Sequence, residues 1–194
     1  MKRSHLFLPL GLGIALSGCI SFGGKTPPYF LRLTAAQEQP AGPSRSAAAG
    51  QVITVVPPVA NQELATPRVP VHSGNNQVAY LKDAQWVETP SALFGRLISE
   101  TISVHSGRVV LDSRQFNLDP GLRLTGTLQS FGLDADQMQA VVVYDAVLAR
   151  TSATVETRRF AARVPVAALD GPSAAAALNQ AANQVASDVA AWVG

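Results

Sequence analysis

Few side chains in this sequence have the type and spacing that chemistry requires, and His72 and His105 are the first candidates. Each histidine is followed by Ser-Gly, so each could serve as a general base beside a serine nucleophile. Neighbouring residues on a turn rarely face each other, and Ser-Gly is common in turns. A catalytic histidine also needs a third group that orients it, and neither motif supplies one. We therefore interpret both tripeptides as turns.

The carboxylates of Asp134 and Asp136 are the second candidate, as oxygen ligands for a hard cation. Calcium takes about six to eight oxygens, so a solvated turn is the favoured interpretation of two carboxylates in a hairpin. The sequence also lacks a Gly-x-Ser-x-Gly elbow, a phosphate-binding glycine loop and a His-Glu-x-x-His motif. It predicts a protein that is not an enzyme and that has no metal site and no dissociable cofactor.

The strongest chemical signal is the single cysteine, Cys19. Lys2 and Arg3 precede an apolar run of 11 residues (6–16), which suits a signal peptide and is too short to span a bilayer. The run ends in Leu-Ser-Gly-Cys, which resembles the lipobox of Gram-negative lipoprotein precursors, where small residues fit the peptidase and diacylglycerol alkylates the thiol. A lone cysteine forms no intramolecular disulfide, and a buried core role would need a core that a signal peptide lacks. We predict that Cys19 carries diacylglycerol and an N-acyl chain.

Removal of the signal peptide changes the charge of the chain. The full sequence has 15 basic and 13 acidic residues, and the loss of Lys2 and Arg3 leaves 13 of each. A formally neutral domain without a basic patch is not expected to bind nucleic acid. The longest remaining apolar stretch, at 141–143, is broken by Tyr144 and Asp145, so no second membrane span is predicted. The predicted organisation is a signal peptide (1–18), a lipidated tether (19–28) and one domain (29–194).

Hydrophobic periodicity predicts the elements of that domain. One helix starts at Pro90 with Thr89 as N-cap and fades before Gly107, and an Ala-rich helix follows the sequence Asp-Gly-Pro-Ser and runs to Trp192. The segment 35–50 lacks periodicity and is predicted to be a mobile loop. Strands are predicted at 29–33, 51–56, 68–71, 77–81, 109–112, 122–131, 139–149 and 154–164. The element order indicates an α/β (α+β) sandwich with a mixed, largely antiparallel sheet and two main helices packed on it.

The segment from Trp86 to Pro90, with sequence Trp-Val-Glu-Thr-Pro, is the most distinctive internal stretch. A tryptophan beside a charged residue suits a partner or self-association surface. The favoured alternative is that Trp86 packs over the sheet while Glu88 and Thr89 serve the N-terminus of the helix. For the interface alternative, the candidate residues are Tyr80, Trp86, Glu88, Pro57 and Pro58.

Taken together, these segments resemble the ABC-type transport auxiliary lipoproteins, a family that includes lipoproteins of the paraquat-inducible protein C type. The likeness starts at the lipobox and continues through the Pro-Tyr-Phe-Leu-Arg-Leu segment at 28–33 and the proline-interrupted region 52–71. It then includes Val-Ala-Tyr at 78–80, Trp-Val-Glu-Thr-Pro at 86–90, the later strands and the closing helix. The segment at 86–90 is the most specific of these motifs.

The resemblance implies an accessory, non-enzymatic role in transport. Such lipoproteins accompany an ABC ATPase, a permease and a periplasmic mammalian-cell-entry (MCE) protein, in MCE/Mla-type systems thought to move phospholipid or other apolar molecules between membranes. It further implies a homo-oligomer, with a ring as the expected form, that meets the end of the MCE assembly. Because Ile20 and Ser21 follow Cys19 and neither is aspartate, the sorting rule of enteric bacteria predicts the inner leaflet of the outer membrane.

Two other classes of function remain open at this point. An activator lipoprotein for a cell-envelope synthase would be favoured by a long tether, whereas residues 20–28 are few. A ligand-binding module or enzyme would be favoured by converging polar groups in a pocket, and the sequence shows no such cluster.

Overall fold

The computed structural model describes residues 27–42, 44–113, 121–150 and 154–194. Two 3-10 turns, Ala49–Gln51 and Gln62–Leu64, connect regular elements within these ranges. In chain order, the strands and helices are β1 (Tyr29–Leu31), β2 (Val52–Val55), β3 (Val59–Ala60), β4 (Arg68–Ser73), β5 (Gln77–Trp86), α1 (Pro90–Ser106), β6 (Val109–Asp112), β7 (Leu122–Asp134), β8 (Gln139–Arg150), β9 (Thr154–Pro165) and α2 (Gly171–Val193).

The long strand β7 organises a curled, mixed sheet. One edge of β7 pairs antiparallel with β8, which pairs antiparallel with β9. Its other edge pairs in turn with three short parallel strands, β2, β3 and β4. Strand β6 adds to β2, β5 adds antiparallel to β4, and β1 adds parallel to β5, so β1 lies at one end of the sheet order.

The predicted fold class is confirmed, because two helices pack on a mixed sheet whose longest pairings are antiparallel. The predicted strands are present with shifted ends. Strand β5 continues to Trp86, since its last three residues pair with β1, which is distant in sequence. Strand β7 continues to Asp134, where it pairs both with the start of β8 across the hairpin and with β4. Local propensity does not report such partners.

The start and end of α1 follow simple local chemistry. Pro90 occupies the first turn, where its missing N–H costs nothing, and Gly107 ends the helix with φ of 67° in the left-handed region. Thr89 is the N-cap residue by position, with extended φ and ψ, but its side chain accepts no capping hydrogen bond. Its hydroxyl instead lies 3.5 Å from Oγ of Ser91, which corrects the prediction that Thr89 binds the free amides.

Helix α2 has a more complete N-terminal cap than α1. The carboxylate of Asp170 accepts a hydrogen bond of 2.8 Å from the backbone N–H of Ser173. The predicted apolar stripe is buried from Leu178 to Val189, and alanines let the helix lie close to β8, β9 and α1. Trp192, at the end of the stripe, is half-buried and packs on Phe160 at 5.6 Å between ring centroids.

A bulge in β7 decides which side chains enter the core. Register shifts between Leu128 and Ser130, so the alternation of side chains changes phase at Gln129. As a result, Leu124 and Leu128 before the bulge and Phe131 after it are all buried on the helix face. The core between sheet and helices is continuous because of this change of phase.

Candidate partner-binding surface

A groove of about 490 Å³ lies beside α1, between Ala92 and Ser103. One wall is the helix, and the other is formed by the ends of β2 and β6 with the turn that follows β2. The lining mixes apolar and charged side chains, among them Val55, Pro57, Val110, Arg96, Glu100 and Asp112. Such a mixture suits contact with a polar protein segment better than a closed apolar ligand site.

The turn at Pro57–Pro58 approaches α1 where the helix has no side chain. A Cβ atom at Gly95 would lie 3.2 Å from Cδ of Pro58 and 3.3 Å from Cα of Pro57. Glycine at this position therefore allows the proline turn to pack on the helix backbone. Pro58 is buried in this contact, whereas Pro57 is half-buried and lines the groove.

Glu88 and Arg96 form the charged rim of the same region. The two guanidinium nitrogens of Arg96 donate to the two carboxylate oxygens of Glu88 at 2.8 and 2.7 Å. Both side chains are about half exposed, with 54% for Arg96 and 50% for Glu88, so water weakens the pair's contribution to stability. Its bidentate geometry still fixes the direction of Arg96, and this is useful for recognition of a partner.

Trp86 lies in the core, as the packing interpretation expects. Its side chain is 1% exposed, and its ring meets Phe131 edge-on at 5.4 Å. The indole Nε1 is buried without a hydrogen-bond partner among the described residues. A side chain so placed cannot contact a partner directly, so the candidate surface has to be drawn without it.

Tyr80 belongs to a different cluster, on strands β4 and β5. The guanidinium of Arg68 lies 4.0 Å from the centre of its ring, and its hydroxyl donates to the carbonyl oxygen of Glu63 at 3.3 Å. The carboxylate of Glu63 is 3.2 Å from Nε2 of His72. The structure thus places Pro57 in the groove and Glu88 at its rim, on Arg96, while Tyr80 and Trp86 lie elsewhere. Cys19 lies outside the described residues.

The remaining candidates serve local structure. His72 and Ser73 end β4 before the turn at Gly74, whereas His105, which is exposed, and Ser106 lie in the last turn of α1, so the second tripeptide is a helix end and not a separate turn. Gly74 and Gly107 both have positive φ. The carboxylate of Asp134 accepts the N–H groups of Asp136 and Gln137 at 3.0 Å. Asp136 in turn accepts the N–H of Gly74 at 2.7 Å, so both carboxylates hold backbone turns.

The sequence analysis did not anticipate an ordered strap, which we define as residues 34–45 without the undescribed position 43. Asn179 of α2 accepts the N–H of Thr34 at 2.8 Å, and Asn183 accepts that of Ala36 at 2.7 Å. Farther along, Arg45 donates to Oγ of Ser103 on α1. The segment is irregular as predicted, yet its backbone is fastened to both helices. The two asparagines, four residues apart beside the apolar stripe, were the available signal.

The sheet face away from the helices carries one prominent ion pair. Arg159 donates to both carboxylate oxygens of Asp145, at 2.6 and 2.7 Å, and Gln129 donates to the same group at 3.0 Å. The hydrogen bond from Arg159 lowers the pKa of Asp145, and the pair raises the pKa of Arg159. On the helix face, burial raises the pKa of Tyr144, whose hydroxyl donates to the carbonyl oxygen of Thr125.

Two kinds of feature are absent from the described part of the chain. It contains no group of three or more histidine, cysteine or acidic side chains placed to bind a metal ion. None of its helices combines the length and the apolar composition needed to cross a bilayer.

A family model for the ABC-type transport auxiliary lipoprotein component matches residues 31–190. The chain belongs to this family. The match covers the sheet, both helices and the groove, so the lipoprotein is an auxiliary component associated with ABC transport and with a membrane of the cell envelope. Among curated proteins, none matches the lipoprotein in sequence.

Solved structures support the fold. The lipoprotein is similar to a DUF330-family protein from Xanthomonas campestris, with a TM-score of 0.67, 22% identity, and coverage of 84% of this chain and 92% of that one. It is also similar to an uncharacterized protein, with a TM-score of 0.67, 15% identity, and coverage of 86% and 97% respectively. At these identities, the likeness concerns the fold alone.

Proposed function

We propose that the lipoprotein is a non-enzymatic contact component of an ABC/MCE-type system for phospholipid or another apolar solute, held at the inner leaflet of the outer membrane by lipidated Cys19. The observation that carries this proposal is the family match over residues 31–190, directly after a lipobox and a short tether. Its proposed partners are a periplasmic MCE protein and, through it, the permease and ATPase. Self-association into a homo-oligomer is part of the same proposal.

The groove beside α1 is the proposed contact surface for the MCE protein. It contains one of the sequence-based candidates, Pro57, and its lining residue Arg96 pairs with another, Glu88. Arginine is enriched at binding hot spots, since its planar donors pair with carboxylates and its stem packs on apolar atoms. Arg96 is therefore the side chain expected to contribute most.

Capture of the lipoprotein from cell membranes tests the function as a whole. A C-terminally tagged full-length chain is isolated with mild detergent after cross-linking, and the bound proteins are identified. We expect the MCE protein and its ABC ATPase, with much less recovery from Cys19→Ser, which lacks the anchor. Recovery of a cell-wall synthase in their place would instead support the activator class, and a wild type that binds no MCE protein would overturn the proposal.

Arg96→Ala locates the contact on the molecule. Loss of an arginine hot spot costs about 2 kcal/mol, so the affinity for the MCE protein should fall roughly 30-fold and its capture should drop clearly. Arg159→Ala is the matched control, because it also removes one arginine of an exposed bidentate pair, but on the opposite face of the sheet. Equal capture of the MCE protein by the two folded variants would exclude the groove as the contact surface. Reduced capture with Arg159→Ala alone would indicate that the contact lies on the outer face of the sheet.

A further inference from the structure

The edge strand β1 presents exposed aromatic rings at the point where the tether enters the domain. Tyr29 is 48% exposed and Phe30 is 54% exposed, and neighbouring Val87, whose N–H donates to the carbonyl of Leu31, is 47% exposed. Large apolar side chains rarely cluster in water without a binding role. These three residues form what we call the tether patch.

The two rings project from opposite faces of the sheet edge. Phe30 pairs with Gln85, which pairs with Arg68, so Phe30 shares the outer face with that arginine. Tyr29 lies on the helix side, where a Cβ atom at Gly171 would be 3.1 Å from its Cδ2. The patch therefore lies around the edge of the sheet and not on one flat face. A deformable surface could contact both rings at the same time.

Basic side chains accompany this patch. Arg32 directly follows β1 and is exposed, and Arg68 is exposed beside the ring of Tyr80. The nearby acidic groups are already engaged, because Asp83 accepts the N–H of Gly171 and Asp170 caps α2. Aromatic rings with adjacent arginines match the boundary of an anionic phospholipid layer, where rings sit at headgroup level and cations meet lipid phosphates.

The length of the tether keeps this patch close to the membrane. Only nine residues separate Cys19 from Tyr29, and fully extended they reach at most about 32 Å. As a flexible chain they would span only roughly 17 Å. Because β1 is the first strand after the tether, its distance from the anchoring lipid cannot exceed the extended reach.

We propose that the tether patch rests on the phospholipid surface that holds Cys19, so that the domain docks on the membrane edge-on through Tyr29 and Phe30. This inference depends on the lipid anchor of the proposed function. It adds an orientation, because a domain docked through β1 holds this end of the sheet order at the membrane. The anchor supplies attachment, and the patch limits how the domain can rotate about its tether.

Depth-dependent quenching of a tryptophan at position 30 tests this orientation. The full lipidated protein with Phe30→Trp is placed in vesicles of phosphatidylethanolamine and phosphatidylglycerol whose acyl chains carry bromine near the headgroup. The native Trp86 is buried and Trp192 is half-buried, so the wild type supplies the background. We expect the fluorescence emission of the tryptophan introduced at position 30 to be blue-shifted and strongly quenched by the bromine. Tyr29→Trp is a second reporter, on the other side of the strand.

Val155→Trp is the control, since Val155 is 65% exposed on β9, distant in sheet order from β1, and should give unquenched added emission. If the protein floats with the vesicles but both tryptophans on β1 stay unquenched, docking through β1 is overturned. The proposed lipid anchor is not affected by that result. Protein that does not float would refute the anchor as well. If Phe30→Ala instead dissociates an oligomer in detergent, the patch is a contact between copies and membrane docking is refuted.

Discussion

Four aromatic side chains connect the elements of the core in a continuous row. Trp86 of β5 meets Phe131 of β7, which lies 6.1 Å from Phe94 of α1, and Phe94 meets Tyr144 of β8 edge-on at 5.4 Å. Edge-on and tilted contacts add about 0.5–1.5 kcal/mol per pair to the burial of each ring. A helix and three strands are therefore joined by a few side chains, and the loss of one affects several elements.

Truncation of Phe94 should be among the most damaging single substitutions. The side chain is fully buried between two rings, so Phe94→Ala should reduce the free energy of unfolding by about 3–5 kcal/mol. Trp192→Ala is the comparison, and we expect about 1–2 kcal/mol because that side chain is only partly buried. Urea unfolding of both variants measures the difference. Equal losses would mean that the end of α2 is as tightly packed as the centre of the core.

The Asp145–Arg159 pair predicts a pH dependence of stability. Because the folded pKa of Asp145 is lowered, its contribution is fully present above the unfolded value of about 4 and is lost as pH falls through the folded pKa. Asp145→Asn should therefore be less stable than wild type at pH 6. The difference in stability between variant and wild type should become smaller below pH 4. Thermal melts across this range measure it. For Arg159→Gln, the difference in stability from wild type should also become smaller below pH 4. A difference that stays constant with pH would show that the charge of Asp145 is not involved.

At the scale of elements, side-chain hydrogen bonds take the place of a backbone ladder. The strap has no strand partner, yet the amide of Asn183 accepts the N–H of Ala36 and donates to the carbonyl of Thr34. Packing a segment against a helix costs free energy if its backbone N–H and C=O groups lose their hydrogen bonds to water. The hydrogen bonds to Asn183 compensate for this loss at Thr34 and Ala36. The strap thereby covers part of both helices without regular structure.

Asn183→Ala should release the beginning of the strap. Two hydrogen bonds to the strap backbone are lost, each worth about 1 kcal/mol, so the amide of Ala36 should exchange its hydrogen markedly faster. Gln184→Ala is the matched control, because Gln184 is exposed on the same helix and bonds Asp188. Native-state hydrogen exchange measures both variants. Unchanged protection at residues 34–36 in Asn183→Ala would show that the strap is held by packing.

At the scale of the whole molecule, the proposed anchor assigns the choice of membrane to the residues after Cys19. Without residues 1–18 the chain has as many basic as acidic residues, so its net charge would not attract it to either membrane. Acyl chains contribute about 0.8 kcal/mol per buried CH₂, so the proposed acylation of Cys19 would determine attachment. A substitution in the tether can therefore test the choice of membrane without a change to the folded domain.

Ile20→Asp should move the lipoprotein to the inner membrane. The substitution places aspartate directly after Cys19, as in lipoproteins that enteric bacteria retain there, and does not alter residues 29–194. Density-gradient separation of the membranes measures the shift, with Ile20→Val as a control that should stay in the outer membrane. Wild type that already fractionates with the inner membrane would contradict the proposed location.

The sequence by itself determined the class of fold, the approximate extent of both helices and the family. These follow from local signals, namely the proline and glycine at the ends of α1, the Asp-Gly-Pro-Ser entry to α2, the apolar periodicity and the lipobox.

Tertiary structure decided how the candidate residues are placed. The burial of Trp86, the bulge at Gln129, the fastening of the strap and the separation of Tyr80 from the groove all depend on contacts between distant parts of the chain. Periodicity tells which side of an element is apolar but not which element will cover it. The groove therefore became visible only when α1, the proline turn and β6 were brought together by the fold.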